Sequence, residues 1–291
     1  MQDRKKGILY ILGAAFGFSL MSLFVRLSGD VPTYEKVVFR NAVAAVFSFF
    51  MLLREGKGFS VEKKNIPFLL IRTVSGALGM VLNFYAIDHM NIADSNMLNK
   101  LSPVFAMLAS IIILGEKVNI MEWLAIVVSF IGALFVVKPG FHSEFLVALM
   151  ATGGGLFAGL AYVFVRRLGQ RGVRGNIIVF FFSFFSTIFV LPMAILHYQP
   201  LSMIQFLLLF AAGVGATIGQ VCITRAYRYA PAKEIGVYDY MQVVYSAILG
   251  FLFLGQLPDI WSFVGYVMII GMAILKWKYN LREEGIQRNG N

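Results

Sequence analysis

Ten apolar runs, each about 20 residues long, take up most of this chain. That is the length an α-helix needs to cross the hydrocarbon core of a bilayer. The spans read as 7–27, 34–53, 66–86, 91–114, 120–137, 145–165, 175–197, 203–228, 232–254 and 259–278. The connections are short, and Asp30-Val31-Pro32, Lys138-Pro139-Gly140, Gln199-Pro200 and Leu257-Pro258-Asp259 carry turn chemistry. A soluble domain has no room between them. Only 14% of residues are charged and the mean hydropathy is +0.77. The net charge of +10 could suggest nucleic acid, but the basic residues sit in short clusters between apolar runs, which is the mark of membrane topology. No nucleic-acid partner is expected. Arg4-Lys5-Lys6 before an apolar stretch imitates a signal peptide. The stretch is too long and lacks a small-x-small cleavage site, so it reads as a retained first span. Residues 281–291 read as a short, irregular polar tail. Cys222 is the single cysteine, which rules out an intramolecular disulfide.

The spans form two copies of one unit, offset by 140 residues without a gap. Phe24-Val25-Arg26 returns as Phe164-Val165-Arg166, Gly79-x-Val81 as Gly219-x-Val221, and Leu114-Gly115 as Leu254-Gly255. The units are 1–140 and 141–291. Five spans is an odd number, so the second copy enters the membrane upside down. The fold expected is an all-α membrane protein of ten transmembrane helices, arranged as two inverted five-helix repeats. Nineteen of the 25 Lys and Arg fall on the side of the termini, against Arg26, Lys36 and Lys138 on the other. The positive-inside rule then puts both termini in the cytoplasm, with the chain in the plasma or inner membrane. His89, His142 and His197 lie at the opposite edge.

Ionisable groups inside a bilayer are expensive, roughly 2.5–3.5 kcal/mol each at a helix centre, and mark sites by default. Lys100 lies nine residues into span 4, roughly 13 Å deep, too far for easy snorkelling. Asn96, Asn99, Lys100 and Pro103 share one helical face, and Pro103 frees the carbonyl of Asn99, which makes a polar backbone site and a point where the helix can bend. Asp239 in span 9 is the repeat partner of Asn99. Glu234, Tyr238, Gln242 and Tyr245 run beside it as a stripe. Lys100 and Asp239 approach the midplane from opposite sides. They pair directly or through a substrate or water, and Asp239 is the candidate proton-coupling carboxylate. Arg40 and Arg72 are shallower and serve either by snorkelling to the interface or in substrate binding or gating. Asn83, Gln220 and Tyr162 extend the polar stripes towards a cavity. The substrate-binding set is thus Lys100, Asn96, Asn99, Asp239, Tyr238, Gln242, Asn83, Gln220 and Tyr162. Coupling and gating fall to Asp239, Glu234, Arg72, Arg40 and Pro103.

Span 4, with Ala93-Asp94, Leu101-Ser102-Pro103-Val104-Phe105 and the closing Leu114-Gly115-Glu116-Lys117, resembles the hallmark of the drug/metabolite transporter superfamily in its EamA-type branch. Gly132 stands in the fifth span as that pattern has it. The second copy keeps Leu254-Gly255 but has Gln256 for the glutamate and Val243 for Pro103. The resemblance implies that spans 1, 3, 4, 6, 8 and 9 line a central cavity and that spans 5 and 10 sit outside. It implies a secondary active transporter, an exporter of a small polar or amphipathic metabolite working by alternating access. The mixed lining suits an amino-acid-like solute. A lipid flippase or a membrane-embedded enzyme is the alternative. The sequence has no GxxxxGK[ST] motor motif and no HExxH or His/Cys metal cluster. Neither enzymatic activity nor a cofactor is expected. The partners expected are a small-molecule substrate, the lipid bilayer and protons, with the chain a monomer or homodimer.

Overall fold

The computed structural model describes the backbone of residues 2–56, 58–114, 119–138, 143–229 and 236–289. All regular structure among the described residues is helical. The helices are α1 (Gln2–Leu27), α2 (Thr33–Glu55), α3 (Ile66–His89), α4 (Ile92–Asn99), α5 (Ser102–Leu114), α6 (Ile120–Val137), α7 (Ser143–Gln170), α8 (Gly175–Leu196), α9 (Met203–Tyr229), α10 (Met241–Leu254) and α11 (Ile260–Asn289). Short 3-10 turns at Lys63–Asn65 and Gly236–Tyr240 precede α3 and α10. Ten stretches are long and apolar enough to cross a membrane, with α4 and α5 together forming the fourth. The tail expected to be irregular instead continues α11 to Asn289.

Large apolar side chains such as Phe189, Leu207 and Phe263 stand exposed on the outside of the bundle. Lipid tails are the solvent that such a surface requires. Inside, the most extensive helix pairings all join one half of the chain to the other. α1 packs along α9, and its counterpart α7 packs along α3. α2 pairs with α8, and α6 with α11. α1 meets α10 as α7 meets α5. Exchanging the halves maps this set of pairings onto itself, as a two-fold arrangement of inverted repeats demands. α6 and α11 touch chiefly each other, at the periphery.

Small residues set how closely the principal pairs approach. A Cβ on Gly17 would come within 2.8 Å of the Gly219 nitrogen and 2.9 Å of the Gly215 carbonyl on α9. One on Gly79 would come within 3.0 Å of the Gly154 carbonyl on α7. Backbone meets backbone at both seams, which is how membrane helices gain dispersion contacts where lipid offers no hydrophobic drive. Polar contacts tie the halves together at both ends. Arg174, at the N-cap of α8, pairs with Glu55 at 3.1 Å on the side of the termini. On the opposite side Lys138 pairs with Asp259, and the Glu35 carboxylate accepts from the Gln199 N–H at 2.7 Å.

Candidate substrate site

Both halves depart from regular α-helix at the same repeat position. In span 4 the α-helix stops at Asn99, passes through Lys100 and Leu101, and restarts at Ser102. Pro103 explains the break, since it has no N–H to return to the Asn99 carbonyl. The Leu101 N–H turns back to Leu98 at 3.1 Å instead. In span 9, a tight 3-10 turn ends at Tyr240 and α10 starts at Met241. Residues 100 and 240 are equivalent under the 140-residue offset. No proline stands at the second break, yet its location is shared. α7 covers the first break through Gly155, where a Cβ would meet the Leu98 carbonyl at 2.9 Å.

Lys100 and Asp239 form a direct ion pair across these two breaks, each partly buried. The Tyr240 hydroxyl lies 3.5 Å from the Lys100 carbonyl. One carboxylate oxygen of Asp239 takes the ammonium, and the other is buried without a partner. Tyr162 on α7 lies near enough to feel the charges of Asp239, Arg40 and Arg72, which belong to three different elements. Even so, 53% of Tyr162 remains accessible.

Arg40 and Arg72 are the further ionisable groups of this region. Arg72 does not snorkel to the nearer interface. Its guanidinium lies beside Gly76, one turn deeper, where a Cβ would be 2.4 Å from Nη1, and it stacks 3.6 Å above the Phe182 ring of α8. Arg40 is 7% exposed and donates to the Asn41 side chain at 2.7 Å. Nε of both arginines and Nη1 of Arg72 are buried without an acceptor. Such a group costs about 1–3 kcal/mol, more when charged.

The remaining expected residues divide. Asn96 and Gln242 meet in a buried knot with Ser19, Ser22 and Ser246. Asn96 donates to Ser22 at 3.1 Å and to Ser246 at 2.9 Å, and accepts from Gln242 at 3.1 Å. Ser19 accepts from Ser246 at 3.2 Å and donates to the Gln242 carbonyl. The expected continuous stripe from Asn96 to Pro103 is split by the helix break: Asn96 is buried, Asn99 and Lys100 are partly exposed, and Pro103 is exposed. Asn83 is buried with its Oδ1 unpartnered. Tyr238 packs edge-on against Trp277, 6.2 Å between centroids, and Gln220 is half-buried on α9. Glu234 and His142 lie outside the described residues. Two features escaped the sequence. One is the serines of α1, whose three-residue spacing is their only signal. The other is the pair of Lys36, 0% exposed, with Asp88 at 2.7 Å.

Ten spans in two inverted halves, with a partly buried Lys100–Asp239 ion pair joining them, define an integral polytopic membrane protein of the transporter class. The EamA-like transporter family model matches residues 5–138 and again 145–276, and the chain belongs to that family. It is 35% identical to the pseudopaline exporter CntI of Pseudomonas aeruginosa, over 93% of this chain and 95% of that one. It is 28% identical to human solute carrier family 35 member G1, over 93% and 80%, and 25% identical to a riboflavin transporter of Vibrio cholerae, over 97% of each. A solved crystal structure superposes with a TM-score of 0.66 at 20% identity, over 93% of this chain and 96% of that one, a likeness of fold.

Proposed function

We propose that this protein is a secondary active transporter that exports a small polar or amphipathic metabolite, most simply an amino-acid-like solute, by alternating access. The observation that carries this is the Lys100–Asp239 pair, which joins the two repeats at equivalent positions where regular α-helix gives way. A solute with its own ammonium or carboxylate competes for either partner, and so couples binding to the contact between halves. Asp239 is the group that would carry a proton. The repeats 1–140 and 141–291 would rock about this point. The charge bias supports cytoplasmic termini in a plasma or inner membrane. Relatives named as exporter, solute carrier and vitamin transporter support transport as the shared activity.

Comparing metabolites in medium and cytosol, with and without the protein, identifies the solute. In proteoliposomes loaded with it, Lys100→Ala and Asp239→Asn should each lower flux at least about tenfold, the effect of losing one charge-assisted contact. Asp239→Asn should keep exchange but lose accumulation driven by a pH gradient. Wild-type flux from both well-folded variants refutes the site.

A further inference from the structure

The end of the bundle away from the termini holds two cavities that abut. One, of about 470 Å³, is lined by Arg26, Asp30, Asp88 and His89. The other, of about 650 Å³, is lined by Tyr34, Leu82, Tyr85, Met150, His197 and Tyr198. Pro32, Thr33 and Gln199 line both. Each volume falls within the roughly 300–1,000 Å³ of small-molecule sites. The walls come from both repeats: the ends of α1, α2 and α3 face α7 and the end of α8.

The two linings differ in kind. Beside the polar cavity, the buried Lys36 is fully spent. Its ammonium donates to the Val25 and Gly29 carbonyls at 3.3 and 2.9 Å and to Asp88 at 2.7 Å, which uses all three hydrogens. That staple fixes the wall and neutralises Asp88. Arg26 is the remaining cation. It gives Nη1 to the Ile87 carbonyl at 3.2 Å, and no carboxylate among the described residues pairs with it. Asp30 and His89 are exposed acceptors. The His89 Nδ1 donates to the Tyr85 carbonyl at 2.8 Å, so Nε2 is left to accept. Tyrosines at a membrane rim commonly face the headgroups. Tyr34 and Tyr85 instead set their rings against imidazoles, 5.6 Å from His197 and 4.1 Å from His89. A guanidinium and two acceptors next to an aromatic cavity match a solute with a carboxylate, an ammonium and an apolar body on one short frame.

We infer that these cavities form a vestibule, separate from the Lys100–Asp239 pair, for an amino acid with a large apolar side chain. Its carboxylate lies on Arg26, its ammonium towards Asp30 and Nε2 of His89, and its side chain among Tyr34, Tyr85 and Tyr198. That the occupant is a solute in transit rests on the transport reading above; the site itself does not. The test uses the full chain with Cys222→Ala and Thr33→Cys, because Thr33 lines both cavities. In nanodiscs of phosphatidylglycerol, which carries no ammonium, the rate at which a maleimide modifies this cysteine is measured. L-phenylalanine should slow it saturably. Phenethylamine, without the carboxylate, and 3-phenylpropionate, without the ammonium, should each need at least about ten times the concentration, the loss of one charge-assisted contact. Arg26→Gln should raise the half-protecting concentration of L-phenylalanine about tenfold for the same reason. Tyr198→Ala, at an exposed position, should weaken protection by L-phenylalanine and leave that by L-alanine unchanged; it decides if Arg26→Gln does not fold. No protection by L-phenylalanine overturns the vestibule. Equal protection by all three phenyl compounds overturns its choice of a zwitterion. Slower labelling in phosphatidylethanolamine discs without solute overturns the amino acid in favour of a lipid headgroup. Lys100→Ala should lose flux yet keep the protection. Unchanged flux there removes the transport site and leaves the vestibule standing, and failed protection does the reverse.

Discussion

Asn96 uses both amide hydrogens and its carbonyl oxygen on side chains from two other helices, and it is 1% exposed. In lipid such bonds average about 0.6 kcal/mol each, because the unpacked chain also finds partners. Asn96→Ala removes three at once and takes the acceptor from the Gln242 amide, while Ser22 and Ser246 keep their bonds to the Phe18 carbonyl and to Ser19. It should destabilise the detergent-solubilised protein by about 1–2 kcal/mol. A double-mutant cycle with Ser246→Ala should return a coupling of about 0.6 kcal/mol; additive losses would show that the knot contributes nothing as a unit. At this scale the sequence is uneven. Lys100 and Asp239 stand out in it because depth and the 140-residue offset both point to them. Asn96 is as polar and as deep, but only the packing of α1 decides that it meets Ser22 rather than an opening. The course of Arg72 is hidden for the same reason: it depends on a missing side chain at Gly76 and on a ring from α8.

Among the elements, α7 is the most constrained. Its Gly159 faces the restart of the broken span, and a Cβ there would fall 2.6 Å from the Ser102 carbonyl and 2.8 Å from the Ala106 nitrogen. Both obstacles are backbone, so α7 and α5 must move apart. Gly159→Ala should therefore lower stability by about 1–3 kcal/mol, the usual cost of overpacking. It should be read as a lower melting temperature in detergent. Gly271→Ala on α11, where nothing lies within 4 Å, is the control and should melt at or above the wild-type temperature. A Gly159→Ala protein as stable as the control would remove the close approach. Element boundaries are legible in the sequence because the length of an apolar run is set by the bilayer. The first helix break is legible through Pro103. The 3-10 turn that ends at the equivalent Tyr240 has no proline to announce it and shows itself only when the two repeats are aligned on the structure.

For the whole molecule, the orientation is the first thing to test. In a Cys222→Ala background, single cysteines at 89, 142 and 197 should react with an impermeant thiol reagent in intact cells, and one at 64 should not. Labelling at 64 would reverse the orientation. The frame is symmetric but its filling is not. Ser22 is fully buried in the knot, whereas its repeat equivalent Tyr162 is half-exposed. No reading of one copy alone can supply that difference, since it arises where the copies meet. The cross-half pairing bears last on how the protein is made. A ribosome delivers the amino end first, so α1 enters the membrane long before α9, the helix along which it packs most extensively. α3 likewise waits for α7. For much of synthesis the early spans must persist as single inserted rods, their glycine seams against lipid, and the bundle can close only when the second half arrives.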